Sequence, residues 1–435
     1  MHLLPLRPQG AAAWVGGREA AGEEARTWRH EAAGCRKVTH RDGPDAGAPP
    51  ATTEDEVSSN WFQRHLTEEI LPRWLEASVT PCGAFLPRLD RKWQPKPEQV
   101  LTLVSQSRLI YNFVRGHELT GDAAYIGAAQ SGARFLLDAF RDRQHGGWFW
   151  SVAPDGAVLD AGKDTYGHAF ALFGLSHALR ATGAEELREA AHHTWEVLNT
   201  RLRDAHGGFV RRTESDFSRP APGRSANPVM HLFEALQAMV DVEPPFLAEA
   251  QRVAEFACRL VRQADGLLPE LYADDWRPLT TEEGGTIDLG HQFEWAYLLS
   301  AGVERGLPAD QIATAARLLD GGIRLGIDPA DGGVLSNANM EAQTRPGGKG
   351  AWQQCEAARA LMHFWVVRGK GGVAGRTRRL LEFIRSRLID SEYGGWYVGL
   401  REDGSPASTD KGNEWKLDYH VVGMCSEAIR LGVAL

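Results

Sequence analysis

The sequence predicts an all-α protein whose twelve helices close as an (α/α)6 barrel, with short hairpins and loops at the active-site end. Three observations favour this fold: helical apolar spacing from residue 60 onward, almost no β-alternation, and an internal repeat of about 60 residues. An open helical solenoid is the alternative, in which the helices stack without closing. Closure is favoured because it would bring polar residues from six units into one pocket.

Apolar stripes with helical spacing recur along the chain. In the first of them, Trp61, Leu66, Ile70 and Trp74 lie roughly on an i, i+4, i+8 pattern, which is typical of a helix with one buried face. Similar stripes occupy 132–140, 187–202, 246–262, 310–325 and 377–388. Only short pieces, such as 147–152 and 395–400, suggest hairpins.

A glycine followed by aromatic or aliphatic residues marks each repeat. The six marks lie at Gly83, Gly147, Gly208, Gly266, Gly333 and Gly395. Each unit then contains a helix, a glycine turn, a short extended stretch, a loop and a second helix. A polar residue opens each second helix, at Arg108, His168, His231, His291, Gln353 and His420. Six units of two helices give an inner ring within an outer ring, and the polar residues would converge at one end.

Residues 1–57 differ from the rest, and we expect them to be a disordered extension of a barrel domain at 58–435. The stretch 10–22 is rich in alanine and glycine, and 42–53 is rich in proline, alanine and glycine. Such segments bury too little apolar surface to offset the entropy lost on ordering. The first ten residues also lack the sustained apolar run of a secretory signal.

Charge and cysteine content narrow the possible partners. The 48 Lys and Arg residues against 57 Asp and Glu residues leave a formal charge of -9, which disfavours nucleic acid and anionic membranes. No stretch approaches the ~18 to 20 apolar residues of a membrane span. The five cysteines are an odd number, far apart and without a CxxC pair, so we expect a reduced, cytoplasmic protein without a structural zinc site.

Four inner helices begin with histidine, glutamate or asparagine residues that a core helix does not need. They lie within 163–168, 227–234, 290–295 and 414–420. His231 with Glu234, and His291 with Glu294, are three residues apart and share a helix face. A carboxylate in that place can orient an imidazole and raise its proton affinity, which suits a general base. Burying so many titratable groups together is costly without a use.

These motifs resemble the N-acylglucosamine 2-epimerase superfamily, which includes mannose isomerases and cellobiose 2-epimerases. The resemblance runs from about residue 60 to the C-terminus and rests on Gln106-Ser-Arg108 with Tyr111, Asn227-xx-Met-His231-xx-Glu234, Gly290-His291-xx-Glu294-Trp295 and Trp415-Lys-Leu-Asp-Tyr-His420. It implies an (α/α)6 barrel that acts on a monosaccharide as a monomer or homodimer, without a metal or other cofactor. The first motif is more epimerase-like, and the third more isomerase-like.

The resemblance also implies a role for individual residues. His420 would be the base at C2, and His291 would open the ring and deliver a proton while Glu294 orients it. Arg108 would bind the oxygens near C1 and C2. The other residues implied in sugar binding are Tyr166, Asn227, His231, Glu234, Trp352 and Trp415. The two tryptophans could stack on the sugar or simply seal the barrel.

The chemistry explains why two histidines would be needed. Removing the proton on C2 of an open-chain aldose leaves a cis-enediolate whose charge must be stabilised. Returning the proton to C1 gives a ketose, and returning it to the opposite face of C2 gives an epimer. We predict an isomerase of D-mannose and D-fructose, with 2-epimerisation of a free aldose, N-acylglucosamine or cellobiose as the alternative.

Three rival functions remain open from the sequence. A glycoside hydrolase on the same barrel needs two carboxylates, which Asp164, Glu234, Glu294 or Asp418 could supply. The histidine-rich inner ring disfavours it. A binding module without catalysis is the second rival. A metal site at the two His-x-x-Glu pairs is the third.

Overall fold

The computed structural model describes residues 61–344 and 347–434, and within them twelve helices alternate between two rings. The outer helices are α1 (Trp61–Arg64, His65–Ile70 and Leu71–Ser78), α3 (Ala123–Phe135), α5 (Glu185–Val197), α7 (Leu247–Leu260), α9 (Gln311–Gly326) and α11 (Ala374–Arg387). The inner helices are α2 (Leu103–Thr120), α4 (Thr165–Thr182), α6 (Ala226–Val240), α8 (Leu289–Glu304), α10 (Ala351–Val366) and α12 (Tyr419–Arg430). The extension expected at 1–57 lies outside the described residues.

The inner ring is closed. Each inner helix packs on the next one along the chain, and α12 packs on α2. The predicted (α/α)6 barrel is therefore confirmed, and the open solenoid is not formed. None of the described helices combines the length and apolarity needed to cross a bilayer.

The two rings divide the burial as their sequences predict. Inner helices are buried almost all round, as α8 is from Leu289 to Gly302, whereas outer helices such as α9 bury one face. Several of the fourteen tryptophans fill the space between the rings, and Trp74, Trp148, Trp295 and Trp396 are fully buried. Much of the high tryptophan content therefore belongs to the core.

Short strands connect consecutive units at the end where the inner helices begin. The strands are β1 (Leu101–Thr102), β2 (Ser151–Val152), β3 (Val158–Asp160), β4 (Lys163–Asp164), β5 (Arg212–Thr213), β6 (Arg224–Ser225), β7 (Leu271–Tyr272), β8 (Ile287–Asp288), β9 (Asn337–Ala338), β10 (Lys349–Gly350) and β11 (Gly399–Leu400). The antiparallel pairs are β1–β2, β2–β3, β4–β5, β6–β7, β8–β9 and β10–β11. Except for β2–β3, each pair joins the strand that precedes an inner helix to a strand of the following unit. These pairs fix the loops around the end of the barrel where the inner helices begin.

Buried ion pairs repeat with the fold. In four units, an aspartate after the outer helix binds a basic residue of the segment that leads to the inner helix. The pairs are Asp142–Lys163, Asp204–Arg224, Asp328–Lys349 and Asp390–Lys411, at 2.7, 2.9, 2.7 and 2.7 Å. Each pair joins the two ends of a connecting segment, so the start of each of these inner helices is held against the preceding outer helix.

His168 belongs to this framework. In three units a glutamine at the fourth residue after the N-cap accepts a hydrogen bond from a backbone N–H of the glycine-marked turn. The glutamines are Gln106, Gln292 and Gln354, with their oxygens 2.9, 2.9 and 2.6 Å from the nitrogens of Phe85, Leu268 and Val334. His168 occupies the same position, and its Nε2 accepts from the Trp148 N–H at 3.1 Å. Its Nδ1 donates to the Asp164 carbonyl at 2.7 Å.

We therefore expect His168→Gln to leave the stability of the protein nearly unchanged, because glutamine makes the same contacts elsewhere in the barrel. His168→Ala should lower the free energy of unfolding by about 1–3 kcal/mol, since it leaves the buried Trp148 N–H without an acceptor. Denaturant unfolding of the two variants measures the difference. Equal losses in both variants would contradict the structural role.

Candidate active site

The six inner helices share one register, counted from their N-cap residues. The caps are Thr102, Asp164, Ser225, Asp288, Gly350 and Asp418. In this register His420 is the second residue, His291 the third, His168 the fourth and His231 the sixth. The four histidines therefore do not occupy equivalent places, and this explains why His168 faces a turn while the other three face the barrel axis.

A cavity of about 550 Å³ opens where the inner helices begin. Most of the predicted site residues line it: Arg108, Tyr166, Asn227, His231, His291, Glu294, Trp352, Trp415 and His420. Glu234 does not. Its carboxylate lies deeper, where it accepts hydrogen bonds from His231 Nδ1, at 3.1 Å, and from the Tyr419 hydroxyl. Glu234 thus supports the cavity wall rather than facing a ligand.

The hydrogen-bond partner of His291 is Glu270 and not Glu294, the partner that the resemblance implied. Nδ1 of His291 donates to a carboxylate oxygen of Glu270 at 2.7 Å, and Glu270 is the residue just before β7. Both Glu294 oxygens are buried in the cavity wall without a hydrogen bond. Glu294 is three residues along the helix and lines the same cavity, whereas Nδ1 of the imidazole is directed at Glu270. The Nε2 side of His291 is thereby left for a ligand.

His291 favours its protonated form. Burial disfavours the charge, but neighbouring acidic groups, chiefly Asp288 and Glu270, outweigh burial and raise the pKa of His291 to about 10. Near neutral pH this imidazolium can donate a proton from Nε2, because Nδ1 is engaged by Glu270.

His420, in contrast, favours its neutral form. Its Nδ1 donates to Glu356 at 2.7 Å, which leaves Nε2 as the free ring nitrogen. Burial, followed by the positive charge of Arg108, holds the pKa of His420 well below its usual range. A neutral imidazole with a bare Nε2 can accept a proton. Two titratable groups whose pKa values are driven apart in one cavity make an acid and a base.

Trp352 lies between the two histidines. Its ring centroid is 4.9 Å from that of His291 and 5.5 Å from that of His420, so the two imidazoles are no farther apart than the sum of these distances. Both can therefore reach one small molecule. Trp415 lies at the rim, 55% exposed, with its ring 6.0 Å from Trp150 and 6.2 Å from Tyr166. A flat face is thus available where the cavity opens.

Arg108 is buried and fixed by hydrogen bonds, and it does not form a surface ion pair. The side chain is buried, and it donates from Nη1 to the Trp415 carbonyl at 2.7 Å and from Nη2 to the Tyr166 hydroxyl at 2.8 Å. Its guanidinium lies 4.4 Å from the centroid of Phe170. No carboxylate pairs with it within the described residues, so its charge is directed at the cavity.

Two polar groups of the wall have unused hydrogen-bonding capacity. The side-chain oxygen of Asn227 is buried without a partner, and so are both oxygens of Glu294. Burial and the nearby charge of Glu356 raise the pKa of Glu294 well above its usual range. The raised pKa favours the protonated form of Glu294, which can donate as well as accept. Such groups suit the hydroxyls of a sugar.

Two groups of side chains approach the spacing of a cation site: His231 with Glu234 and Glu294, and Glu294 with Glu356 and His420. In each group the imidazole Nδ1 already donates to one of the glutamates. The pKa of the shared member, Glu294, is raised well above its usual range by burial and the nearby charge of Glu356, which disfavours the ionised form that a cation binds. The hydrogen bonds therefore use these donors to orient the rings, and the arrangement fits proton transfer better than metal ligation.

Sequence reasoning missed Glu270 and Glu356, the partners of the two central histidines. A signal existed for Glu356, because it follows its N-cap by six residues, as Arg108, His231 and Glu294 follow theirs. Glu270 lies in an extended segment outside any helix register. It could be identified only once the chain had been folded around His291.

Comparison with known proteins agrees with this geometry. The family model described as N-acylglucosamine 2-epimerase matches residues 83–424. A cellobiose 2-epimerase of Bacteroides fragilis is 25% identical over 86% of this chain and 99% of its own length, and a D-mannose isomerase of Marinomonas mediterranea is 26% identical over 86% and 97%. The solved cellobiose 2-epimerase of Spirochaeta thermophila superposes with a TM-score of 0.79, at 27% identity, over 88% of this chain and 98% of that one.

The match spans all six units, and the relatives isomerise or epimerise carbohydrates, as their names state. The chain therefore belongs to the N-acylglucosamine 2-epimerase family, and it is a carbohydrate epimerase or isomerase.

Proposed function

We propose that the protein is an aldose–ketose isomerase that interconverts D-mannose and D-fructose. The observation that carries the proposal is the unequal state of the two imidazoles in one cavity. His420 is neutral and can take a proton from carbon, whereas His291 is charged and can give one to oxygen. Such a pair suits an isomerase. One base removes the proton from C2 and returns it to C1 on the same face of the sugar, while a separate acid opens the ring.

Ring opening begins at His291. Its Nε2 protonates the ring oxygen as the bond between that oxygen and C1 breaks, and the imidazole so formed takes the proton of the anomeric hydroxyl. The sugar gains one proton and loses one, so the neutral open-chain aldehyde results. Glu270 holds the ring in place throughout, because it binds Nδ1.

Proton transfer between carbons follows at His420. Its Nε2 removes the proton from C2, and the electron pair moves to form the enediolate, whose negative oxygen lies against Arg108. The hydroxyl proton on O2 passes to O1, and His420 returns its proton to C1 to give the ketose. Arg108 stabilises the charged intermediate without needing to move, since Trp415 and Tyr166 already hold its guanidinium.

A 2-epimerase is the second candidate, and the protonated state of His291 is the observation that favours it. If His291 delivered its proton to C2 from the face opposite His420, mannose would become glucose. The same two side chains would serve both outcomes. The position of the sugar relative to Trp352 would decide between them.

A glycoside hydrolase receives less support, because the carboxylates it would need are engaged. Asp164 caps α4 through the Gly167 N–H, at 3.0 Å. Asp418 binds Trp74 and Lys416, at 2.9 and 2.8 Å. With Glu234 held by His231 and Tyr419, only Glu294 among the four candidates is free. Inverting hydrolysis needs two.

Product analysis tests the proposal. The protein should be incubated separately with mannose, cellobiose and N-acetylglucosamine, and the products identified by NMR. We expect fructose from mannose as the main product. Glucose as the main product of mannose, or conversion of cellobiose or N-acetylglucosamine alone, would contradict the isomerase and support the epimerase.

A further inference from the structure

A second layer of inner-helix residues separates the candidate active site from the other end of the barrel. The ninth residues after the six N-caps all line a further cavity of about 400 Å³: Tyr111, Phe173, Glu234, Tyr297, Arg359 and Glu427. Arg359 is the single cationic side chain in this layer.

Arg359 faces two of the three glutamates that orient cavity histidines. Its Nη1 lies 3.5 Å from Glu356 Oε2 and 3.9 Å from Glu234 Oε1. The guanidinium carbon lies 3.9 Å from the centroid of Tyr297, which fixes the plane of the side chain. Glu356 is fully buried; its Oε1 binds His420, and its Oε2 has no hydrogen bond. Arg359 is thus the arginine that the structure pairs with Glu356.

The protonation of Glu356 decides which nitrogen of His420 is free. As a carboxylate, Glu356 accepts from Nδ1–H and leaves Nε2 bare for a proton. As a carboxylic acid it would donate to Nδ1, and the ring proton would move to Nε2, where it blocks the base. Burial raises the pKa of Glu356 to about 7, and the charge of Arg359 opposes this rise. The balance between the two forms therefore depends on Arg359.

We propose that Arg359 is a positioning residue of this site: it holds Glu356 as a carboxylate and thereby fixes His420 in the tautomer whose Nε2 accepts a proton. Arg359 touches no substrate. It acts from the opposite end of the barrel through Glu356, and it supports His231 through Glu234 in the same way. The catalytic consequence rests on the proposed function, whereas the tautomer of His420 does not.

Several titratable groups surround Arg359 and contribute to this balance. From the neighbouring inner helices they are Tyr111, His231, Glu234, Glu294, Tyr297, Tyr419, His420 and Glu427, and from its own helix Glu356 and His363. Arg305 lines the same cavity but forms a two-point ion pair with Asp241, at 3.0 and 3.1 Å. Arg305 therefore offers a matched control of equal charge.

The test reads the tautomer directly. Nitrogen NMR of the histidine-labelled free protein distinguishes a bare ring nitrogen from one that carries hydrogen, and His420→Asn assigns the signal. At a pH above 7, where Glu356 of the parent is a carboxylate, we expect a bare Nε2 at His420 in the parent, Arg359→Lys and Arg305→Gln. In Arg359→Gln we expect hydrogen on Nε2, together with a fall of about 10²-fold in kcat, the lower end of what a general base contributes.

A variant that retains charge balance covers the case in which Arg359→Gln does not fold. The double variant Glu234→Gln, Arg359→Gln removes one buried charge of each sign. Because Arg359 lowers the pKa of Glu356 more than Glu234 raises it, we expect a partial reversal at His420 in this variant. A bare Nε2 in whichever of these variants folds would overturn the proposal. Because the NMR measurement uses no sugar, a protein that fails to convert mannose would contradict the proposed function and leave the tautomer result to be judged separately.

Discussion

Replacing His420 by asparagine should lower kcat for the sugar by about 10²- to 10⁴-fold, the range that a general base contributes. Asparagine keeps a polar group in the cavity but cannot accept the C2 proton. Initial rates measure the loss, and calorimetry of sugar binding shows whether the cavity is intact, since Asn227, Arg108 and Glu294 are untouched.

Glu356→Gln is the matched companion of this variant. A glutamine leaves the ring of His420 in place but cannot hold the proton on Nδ1 as a carboxylate does. We expect kcat to fall in Glu356→Gln as well, with the affinity for sugar retained.

A rate in His420→Asn within about tenfold of the parent rate would contradict the role of His420, because such a loss is well below what a general base contributes.

Replacing His291 by asparagine should cause a loss of similar size and also change the pH dependence. The protonated form of His291 is the active one, so the parent should lose activity as pH rises through about 10. The neutral form of His420 with a bare Nε2 is the active one, and it needs Glu356 as a carboxylate, so activity should fall toward acid pH as Glu356 gains a proton, at about pH 7. Between about pH 7 and about pH 10 the rate should be nearly constant.

The pH profile of kcat/KM separates the two roles, because it reports groups of the free enzyme. In His291→Asn the loss of activity near pH 10 should disappear from the residual rate. Glu270→Gln should move that loss to lower pH, because the glutamate helps to keep His291 charged. An unchanged alkaline loss in His291→Asn would show that another group is responsible.

Much of the fold could be predicted because each unit repeats its signals locally. Helical stripes such as the one that contains Leu66 and Trp74, and glycine marks such as Gly147, need no knowledge of distant residues. Gly147 adopts a φ of 68°, which glycine reaches without strain, so its place in the turn follows from its own chemistry.

The pairing of side chains across units could not be predicted in this way. His291 meets Glu270 of the loop before it, and His420 meets Glu356 of the preceding inner helix, so both pairs depend on how the units pack. A carboxylate three residues from a histidine was the available signal. It identified the bond between His231 and Glu234 but not the partner of His291.

The structural role of His168 could not be predicted from its residue type either. As a residue type it resembled the cavity histidines, and only the register of its helix reveals that it replaces a glutamine of the framework. A histidine near the start of a helix carries no information about which side of the helix faces the axis until the N-cap is known. The repeat of Gln106, Gln292 and Gln354 supplies that information.

The most direct test is to follow mannose in deuterated water by NMR. A base that takes the C2 proton and returns one to C1 should place solvent deuterium on C1 of the fructose formed, and His420→Asn should abolish this incorporation. Fructose that His420→Asn forms as fast as the parent, with the same deuterium content on C1, would contradict proton transfer by the paired imidazoles.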